Sequence, residues 1–320
     1  MLFPLPAADH VQTADVRMAV GDLSFLIIAN PTSGRGRGRS IAEGVAAGLR
    51  AENRAVEIRF TVSHGDGERI AKDSIASSSP PGCIVACGGD GTVQEVVNAI
   101  ASVGGAKVVV GLAPAGRCND FGRALNIRSD HDAIADVLLH GTSGLVDLGR
   151  INGRFFCTVA TAGVDAEISE FVDTMRMPLR GTPAYLYGAI RVLLGYRCRQ
   201  TRIEGDFGVI ERPLLLASSA NTSSYGGAIQ IAPKAVPTDG LLDVCYVDRM
   251  SRFAAMRLLP TLLAGRHGVC PEVHFARTRR MTIHTDPPMT LWADGERIAT
   301  TPATIEVVPN AIQVMQPAWP

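Results

Sequence analysis

Three short apolar runs each break into a glycine-rich turn and then into a helical pattern. No other feature constrains this chain as strongly. The run ending at Ala29 leads into Asn30-Pro31-Thr32-Ser33-Gly34-Arg35-Gly36-Arg37-Gly38-Arg39, and a helix with Ile41, Val45 and Leu49 on one side follows. Gly82–Ala86 leads into Cys87-Gly88-Gly89-Asp90-Gly91-Thr92 and then Val93–Ile100, apolar at helical spacing. Lys107–Leu112 leads into Ala113-Pro114-Ala115-Gly116, ahead of a helical stretch near Asn119. An alternating strand over Ala55–Thr61 and a helix after His64-Gly65-Asp66-Gly67 complete a β-α-β-α-β-α-β-α order up to residue 145. That order predicts a parallel sheet covered on both faces. In an open parallel sheet ligands sit beyond the carboxyl ends of the strands, and all three glycine-rich turns fall on that edge.

The pattern changes after Asp147. Strand signals recur at 154–159, 200–203, 214–218, 242–247, 272–275, 280–285, 289–292, 303–308 and 311–315, punctuated by Gly and Pro, and one amphipathic helix is predicted over Pro183–Tyr196. This half reads as mostly antiparallel β. The expected organisation is therefore a poorly ordered leader over 1–22, an α/β domain over 23–147 and a β-rich domain over 148–320. A chain of 320 residues accommodates two such domains, with a site in the cleft between them.

Composition narrows the partners. Lys+Arg and Asp+Glu both number 31, so no net field draws the chain to nucleic acid or an anionic membrane. Any membrane contact is local. Seven irregularly spaced cysteines without a Cys-x-x-Cys pair read as reduced thiols rather than a disulfide framework or zinc site. Neither a secretory signal nor a membrane-spanning run is apparent, and a cytoplasmic location is expected. A homodimer is a candidate assembly.

The turns suit phosphate. Thr32, Ser33 and Gly34 supply donors next to Arg35, Arg37 and Arg39. No Gly-Lys-Ser/Thr follows, which excludes a P-loop, and Gly34-x-Gly36-x-Gly38 lacks dinucleotide-fingerprint spacing. An RNA-binding Arg-Gly tract is disfavoured because no aromatic interleaves it. In the second turn, three glycines admit a phosphate to the helix N-terminus, yet Asp90 would repel it unless the carboxylate held a cation, a hydroxyl or a ribose.

The second turn together with Asn30-Pro31-x-Ser33-Gly34 resembles the lipid kinase catalytic domain of the diacylglycerol kinase and sphingosine kinase superfamily, the soluble bacterial diacylglycerol kinases above all. Gly88-Gly89-Asp90-Gly91-Thr92 with Glu95 and Asn98 is the most specific element. Pro114–Leu125, Ala162–Ala166, Tyr225-Gly226-Gly227 with Ala232-Pro233, Asp239-Gly240-x-Leu242-Asp243-Val244 and Asp294-Gly295-Glu296 match further family segments in order. The resemblance covers nearly the whole chain from Ser24. It implies a fold related to NAD kinase and phosphofructokinase and ATP-dependent phosphorylation of a lipid hydroxyl, diacylglycerol by default. By the same resemblance the nucleotide site comprises Asn30, Pro31, Thr32, Ser33, Gly34, Thr61, Gly88, Gly89, Asp90, Gly91, Thr92, Glu95, Gly116, Arg117, Asn119 and Asp120. Asp90 acts near the phosphates, with Mg²⁺ offsetting its charge, and Glu296 is the catalytic base. Asp239, with the backbone of Val236 and Leu241, matches a structural Mg²⁺ site. The family's third motif carries a Thr where this chain has Arg117, and an Arg there can pair with phosphate bidentately. Arg176, Arg180, Arg191, Arg197 and Arg199 give the region of the predicted helix a basic cast suited to peripheral contact with anionic lipid. Two rivals remain at this point: an NAD kinase, which shares the Gly-Gly-Asp-Gly-Thr turn, and a non-catalytic nucleotide or lipid sensor.

Overall fold

The computed structural model describes residues 23–104, 108–174, 182–227 and 229–318. The leader expected over 1–22, Lys107, Met175, Arg176, Met177 and Arg180 lie outside the described residues, as do the side chains of Tyr185 and Leu186.

The first half alternates as predicted: β1 (Phe25–Ala29), α1 (Ser33–Ala51), β2 (Val56–Phe60), α2 (Asp66–Ile75), β3 (Cys83–Gly88), α3 (Asp90–Ser102), β4 (Val109–Pro114), α4 (Asp120–Ala124) and α5 (His131–His140). Its parallel strands run in the order β4-β3-β1-β2. β1, β3 and β4 are buried along their whole length, as a sheet covered on both faces requires, whereas the edge strand β2 alternates between half-buried and exposed. One face packs on Ile70, Val96, Val97, Ile100 and Phe121, the other on Ile41, Val45, Leu49, Ile134 and Leu138. Burying each such side chain contributes about 1.5–3 kcal/mol.

The second half comprises β5 (Thr142–Ile151), β6 (Arg154–Phe156), β7 (Val159–Gly163), α6 (Val164–Thr174), α7 (Thr182–Gly195), β8 (Arg199–Gly205), β9 (Gly208–Ala220), β10 (Leu242–Asp248), α8 (Arg252–Leu263), β11 (Val273–Thr278), β12 (Arg280–Asp286), β13 (Thr290–Ala293), β14 (Glu296–Thr300) and β15 (Ala303–Gln316). Its strand pairs are antiparallel, and one hydrogen-bonded path joins both halves: β14-β13-β7-β9-β8-β12-β15-β4-β3-β1-β2. The departures from the sequence reading include the unread helix α6, the helix α8 and the last strand. α8, for which the sequence reading names no element, starts at Ser251, whose side chain accepts the Ala254 N–H. Only Ala255 and Leu258 of it are buried, too few for a legible helical stripe. The two strands read over 303–308 and 311–315 are one strand, with a register shift between Val308 and Ile312 and Asn310 at φ 52°. Beyond that bulge, Gln313 and Val314 pair with Val109 and Val110 of β4, so the chain's last strand extends the parallel sheet of the first half.

The described residues contain no helix long and apolar enough to cross a membrane. All seven cysteines are free.

Candidate active site

The three glycine-rich turns touch one another. Gly34 sits at φ +58°, and a Cβ there would stand 2.0 Å from the Ala115 carbonyl oxygen. A Cβ on Gly116 would stand 2.5 Å from Gly89 Cα. Backbone therefore packs on backbone, and only glycine permits it. The Gly88 carbonyl accepts the N–H groups of Ala115 and Gly116 at 2.8 and 3.1 Å, locking the second turn to the third. In the first turn, Asn30 Oδ1 accepts the Thr32 N–H at 3.0 Å and the Thr32 hydroxyl at 2.8 Å, which folds the turn ahead of α1.

Asp90 opens α3 and joins the turns by its side chain. Its Oδ1 accepts the Asp120 N–H at 2.7 Å and its Oδ2 the Asn119 N–H at 2.9 Å. Asn119 adopts the left-handed conformation, φ +53°, and its amide bonds both the N–H and the carbonyl of Gly116. Asp120 accepts the Gly227 N–H, bringing in the second half of the chain. Burial pushes the Asp90 carboxyl above its ordinary value. Burial, reinforced by the Asp90 charge, pushes Asp120 up to about 6. Two adjacent carboxyls held above their ordinary range are an incomplete charge arrangement that a cation would complete.

A cavity lies on each side of the Asp90-Gly91 peptide. One, about 300 Å³, is lined by Asn30, Thr32, Thr61, His64, Thr92 and Glu95 among others. The other, about 380 Å³ and mainly apolar, is bounded by Asp90 and Asp120 on one side and by β7, α6 and the β13–β14 turn on the other. That turn is Asp294-Gly295, with both φ angles positive, as a tight two-residue hairpin demands. Asp294 is anchored by the N–H groups of Cys157 at 2.6 Å and Thr158 at 2.9 Å, and burial pushes its carboxyl up to about 6. The anchored turn aims Glu296 across the cleft: a Cβ on Gly91 would meet Glu296 Oε1 at 3.8 Å. His64 Nδ1 lies 3.7 Å from the same oxygen, and Arg154 lies 3.8 Å from Oε2. Burial raises the Glu296 carboxyl against the opposing influence of His64 and Arg154. A carboxylate of raised basicity, a helix N-terminus and two flanking cavities can accept a proton from one ligand while a second ligand's anionic groups sit on the turns.

Comparison with known proteins agrees. The family model described as the diacylglycerol kinase catalytic domain matches residues 24–151, and the YegS C-terminal NAD kinase beta sandwich-like domain matches residues 158–316. A Mycobacterium tuberculosis diacylglycerol kinase is 34% identical over 311 residues, 94% of this chain and 97% of the relative. The chain belongs to the diacylglycerol kinase family. A Bacillus subtilis diacylglycerol kinase is 28% identical over 292 residues, covering 91% of this chain and 95% of that one. A solved Bacillus anthracis diacylglycerol kinase shares the fold, with TM-score 0.71 at 21% identity over 92% of this chain and 96% of that one. The protein is thus a kinase of the lipid kinase family that phosphorylates a hydroxyl.

In this diacylglycerol kinase-family protein the residues predicted for the nucleotide site converge, with different tasks. Asn30, Pro31, Thr32, Ser33 and Gly34 form the first turn, Gly88, Gly89, Asp90, Gly91 and Thr92 the second, and Gly116, Arg117, Asn119 and Asp120 the third. Thr61 is held by its N–H on the Ala29 carbonyl at the end of β1. Glu95 spends its oxygens on the Gly65 and Gly67 N–H groups at 2.7 and 2.8 Å, fixing the turn that carries His64. Asn98 clamps Phe155 of β6 through both its N–H and its carbonyl. Arg117 is exposed and makes no ion pair among the described residues. His64, Arg154, Thr161 and Trp292 were not singled out as site residues. His64 lay within a visible turn signal, but the other three reach the site only through strand pairing.

The Asp239 turn lies apart from both cavities. Asp239 Oδ2 is bonded by the Arg277 guanidinium, and Asp239 Oδ1 accepts the Leu241 N–H at 3.1 Å. Arg277 already supplies a positive charge where the sequence reading placed Mg²⁺ with Asp239, Val236 and Leu241. These residues therefore do not fit a resident ion. At Asp90 and Asp120 the donor set does fit Mg²⁺, which binds through one or two carboxylates plus substrate phosphates rather than a protein cage. No group of three or more candidate metal ligands occurs among the described residues.

Proposed function

We propose that the protein transfers the γ-phosphoryl group of ATP to a lipid hydroxyl. ATP phosphates rest on the three glycine-rich turns, and the acceptor head occupies the cavity between Asp90 and the Asp294 turn. Asp90 and Asp120 would hold the Mg²⁺ that accompanies the nucleotide, which when bound would supply charge neutralisation for phosphoryl transfer. Glu296 takes the proton from the acceptor hydroxyl, Arg154 and His64 hold its carboxylate in place, and the Asp90–Asn119–Asp120 linkage keeps the turns in register. The exposed guanidinium of Arg117 stands free to meet the nucleotide phosphates.

The observation that carries this reading is the approach of Glu296, from the β-rich half, to Gly91 at the start of α3. This approach, beside the Asp90-Gly91 peptide that borders both cavities, supports Glu296 as the base. Diacylglycerol, the substrate named in the relatives, is the first acceptor to try. Peripheral membrane contact at the cytoplasmic surface is part of the proposal. Tyr187, Ile190 and Leu194 of α7 are exposed at helical spacing beside Arg191, an apolar and basic stripe suited to a bilayer surface. The test is radiolabelled ATP with a total lipid extract, comparing wild type with Glu296→Gln. Labelled lipid that depends on Glu296 is expected, and its absence with active wild-type protein overturns the reading.

A further inference from the structure

The acceptor cavity contains buried polar atoms with no close hydrogen-bond partner among the described residues. Four carboxylates line it, and among the described residues no Lys, Arg or His does. Three are engaged: Asp90 by the Asn119 and Asp120 N–H groups, Asp120 by the Gly227 N–H, and Asp294 by Cys157 and Thr158. Asp165 differs. It stands in the first turn of α6 at 4% exposure, and although the Tyr225 and Thr161 hydroxyls face its carboxyl, its Oδ2 has no close hydrogen-bond partner among the described residues. Thr161 Oγ1 and Trp292 Nε1 are also buried and unpartnered. The last two residues pair across β7 and β13, so their side chains share the face that lines the cavity. Buried polar atoms are almost always paired, and three orphans in one cavity mark places a ligand fills.

Their chemistry specifies that ligand. A carboxylate oxygen needs a donor, an indole N–H needs an acceptor, and the Thr hydroxyl serves as either. Diacylglycerol has one O–H, which the transfer reaction uses, and its ester oxygens only accept. They satisfy Trp292 and leave Asp165 facing groups that cannot bond it. We infer, building on the lipid kinase reading above, that the cavity selects an acceptor lipid whose neutral or cationic head carries a second hydrogen-bond donor, received by Asp165. A monoacylglycerol supplies that donor as a hydroxyl and a sphingoid base supplies it as an ammonium. An anionic head is disfavoured by Asp165 and Asp294, the two lining carboxylates not assigned to the metal.

The experiment compares kcat/KM for 1-monoacylglycerol with that for the monoacyl ester of 1,3-propanediol, which lacks one hydroxyl, and for diacylglycerol and a sphingoid base of matched chain length. Wild type is expected to favour the two-donor acceptors at least about tenfold, the effect of one hydrogen bond to a charged group. Asp165→Asn is expected to bring the monoacylglycerol pair within about threefold of each other, with a larger loss for the sphingoid base because its donor is charged. The wild-type comparison stands even if the variant does not fold. Equal wild-type rates for the pair, or a uniform loss for every acceptor in Asp165→Asn, overturn the inference and leave the kinase reading intact. If no lipid is phosphorylated, both fall.

Discussion

Replacing Asp165 with Asn separates the strain this cavity imposes on the fold from its role toward the acceptor. Burial pushes the Asp165 carboxyl from an ordinary 3.8 up to about 6, against the pull of the neighbouring Tyr225 and Thr161 hydroxyls. A carboxyl that holds its proton more tightly when folded stabilises the fold in its protonated form. That contribution is fully present below about pH 3.8 and is lost as pH rises through about 6. Above that window, the ionised group weakens the folded state by up to roughly 3 kcal/mol relative to a neutral one. Asn is neutral throughout. The variant should match wild type near pH 4 and exceed it by roughly 2–3 kcal/mol near pH 8, less whatever bonding the amide forfeits. Urea midpoints for both proteins across that range read the difference, provided the slopes agree. A gap that does not widen with pH refutes the argument that Asp165 is a buried, incompletely partnered ion. A gain in stability accompanied by lost acceptor discrimination is the trade expected of a binding residue.

Asp90→Asn keeps one acceptor oxygen and turns an amide donor toward a backbone N–H, so it should lower stability by about 1–3 kcal/mol and abolish labelled-lipid formation. Unchanged urea stability would show that Asp90 does not hold the turns together. Glu296→Gln should reduce kcat by roughly 10²–10⁴ with little loss of stability. In wild type the acid limb of the pH–kcat profile should lie above the usual Glu value of 4.5, because burial raises Glu296 and the base must be ionised to act. A limb at or below that value counts against the assignment. Gly34→Ala adds a Cβ 2.0 Å from the Ala115 carbonyl oxygen at a positive φ, so thermal melting should reveal at least about 1–3 kcal/mol of destabilisation, with a raised KM for ATP. EDTA without nucleotide should leave the melting temperature unchanged, because Arg277 rather than a resident ion neutralises Asp239. A clear drop would restore a structural metal at that turn.

The sequence by itself determined the parallel half, because β1, β3 and β4 are buried on both faces and so read as unbroken apolar runs. It also determined which backbone would gather at one sheet edge, because each glycine-rich turn directly follows an apolar strand and precedes a helix in the chain. Local chemistry likewise made the Asp294-Gly295 hairpin legible, since few residue pairs tolerate two positive φ angles. Only the tertiary structure decided what the turns face. Glu296 reaches Gly91 because β13 pairs with β7 and Asp294 is anchored on Cys157 and Thr158, contacts more than 130 residues apart in sequence. The return of β15 to β4 depends on a bulge at Asn310 that reads locally as a strand break. Whether Asp239 holds an ion or Arg277 was decided by the pairing of β10 with β11, which sets Arg277 opposite Asp243. The free oxygen of Asp165 is likewise visible only in three dimensions, since an unsatisfied buried atom is defined by every neighbour that fails to reach it.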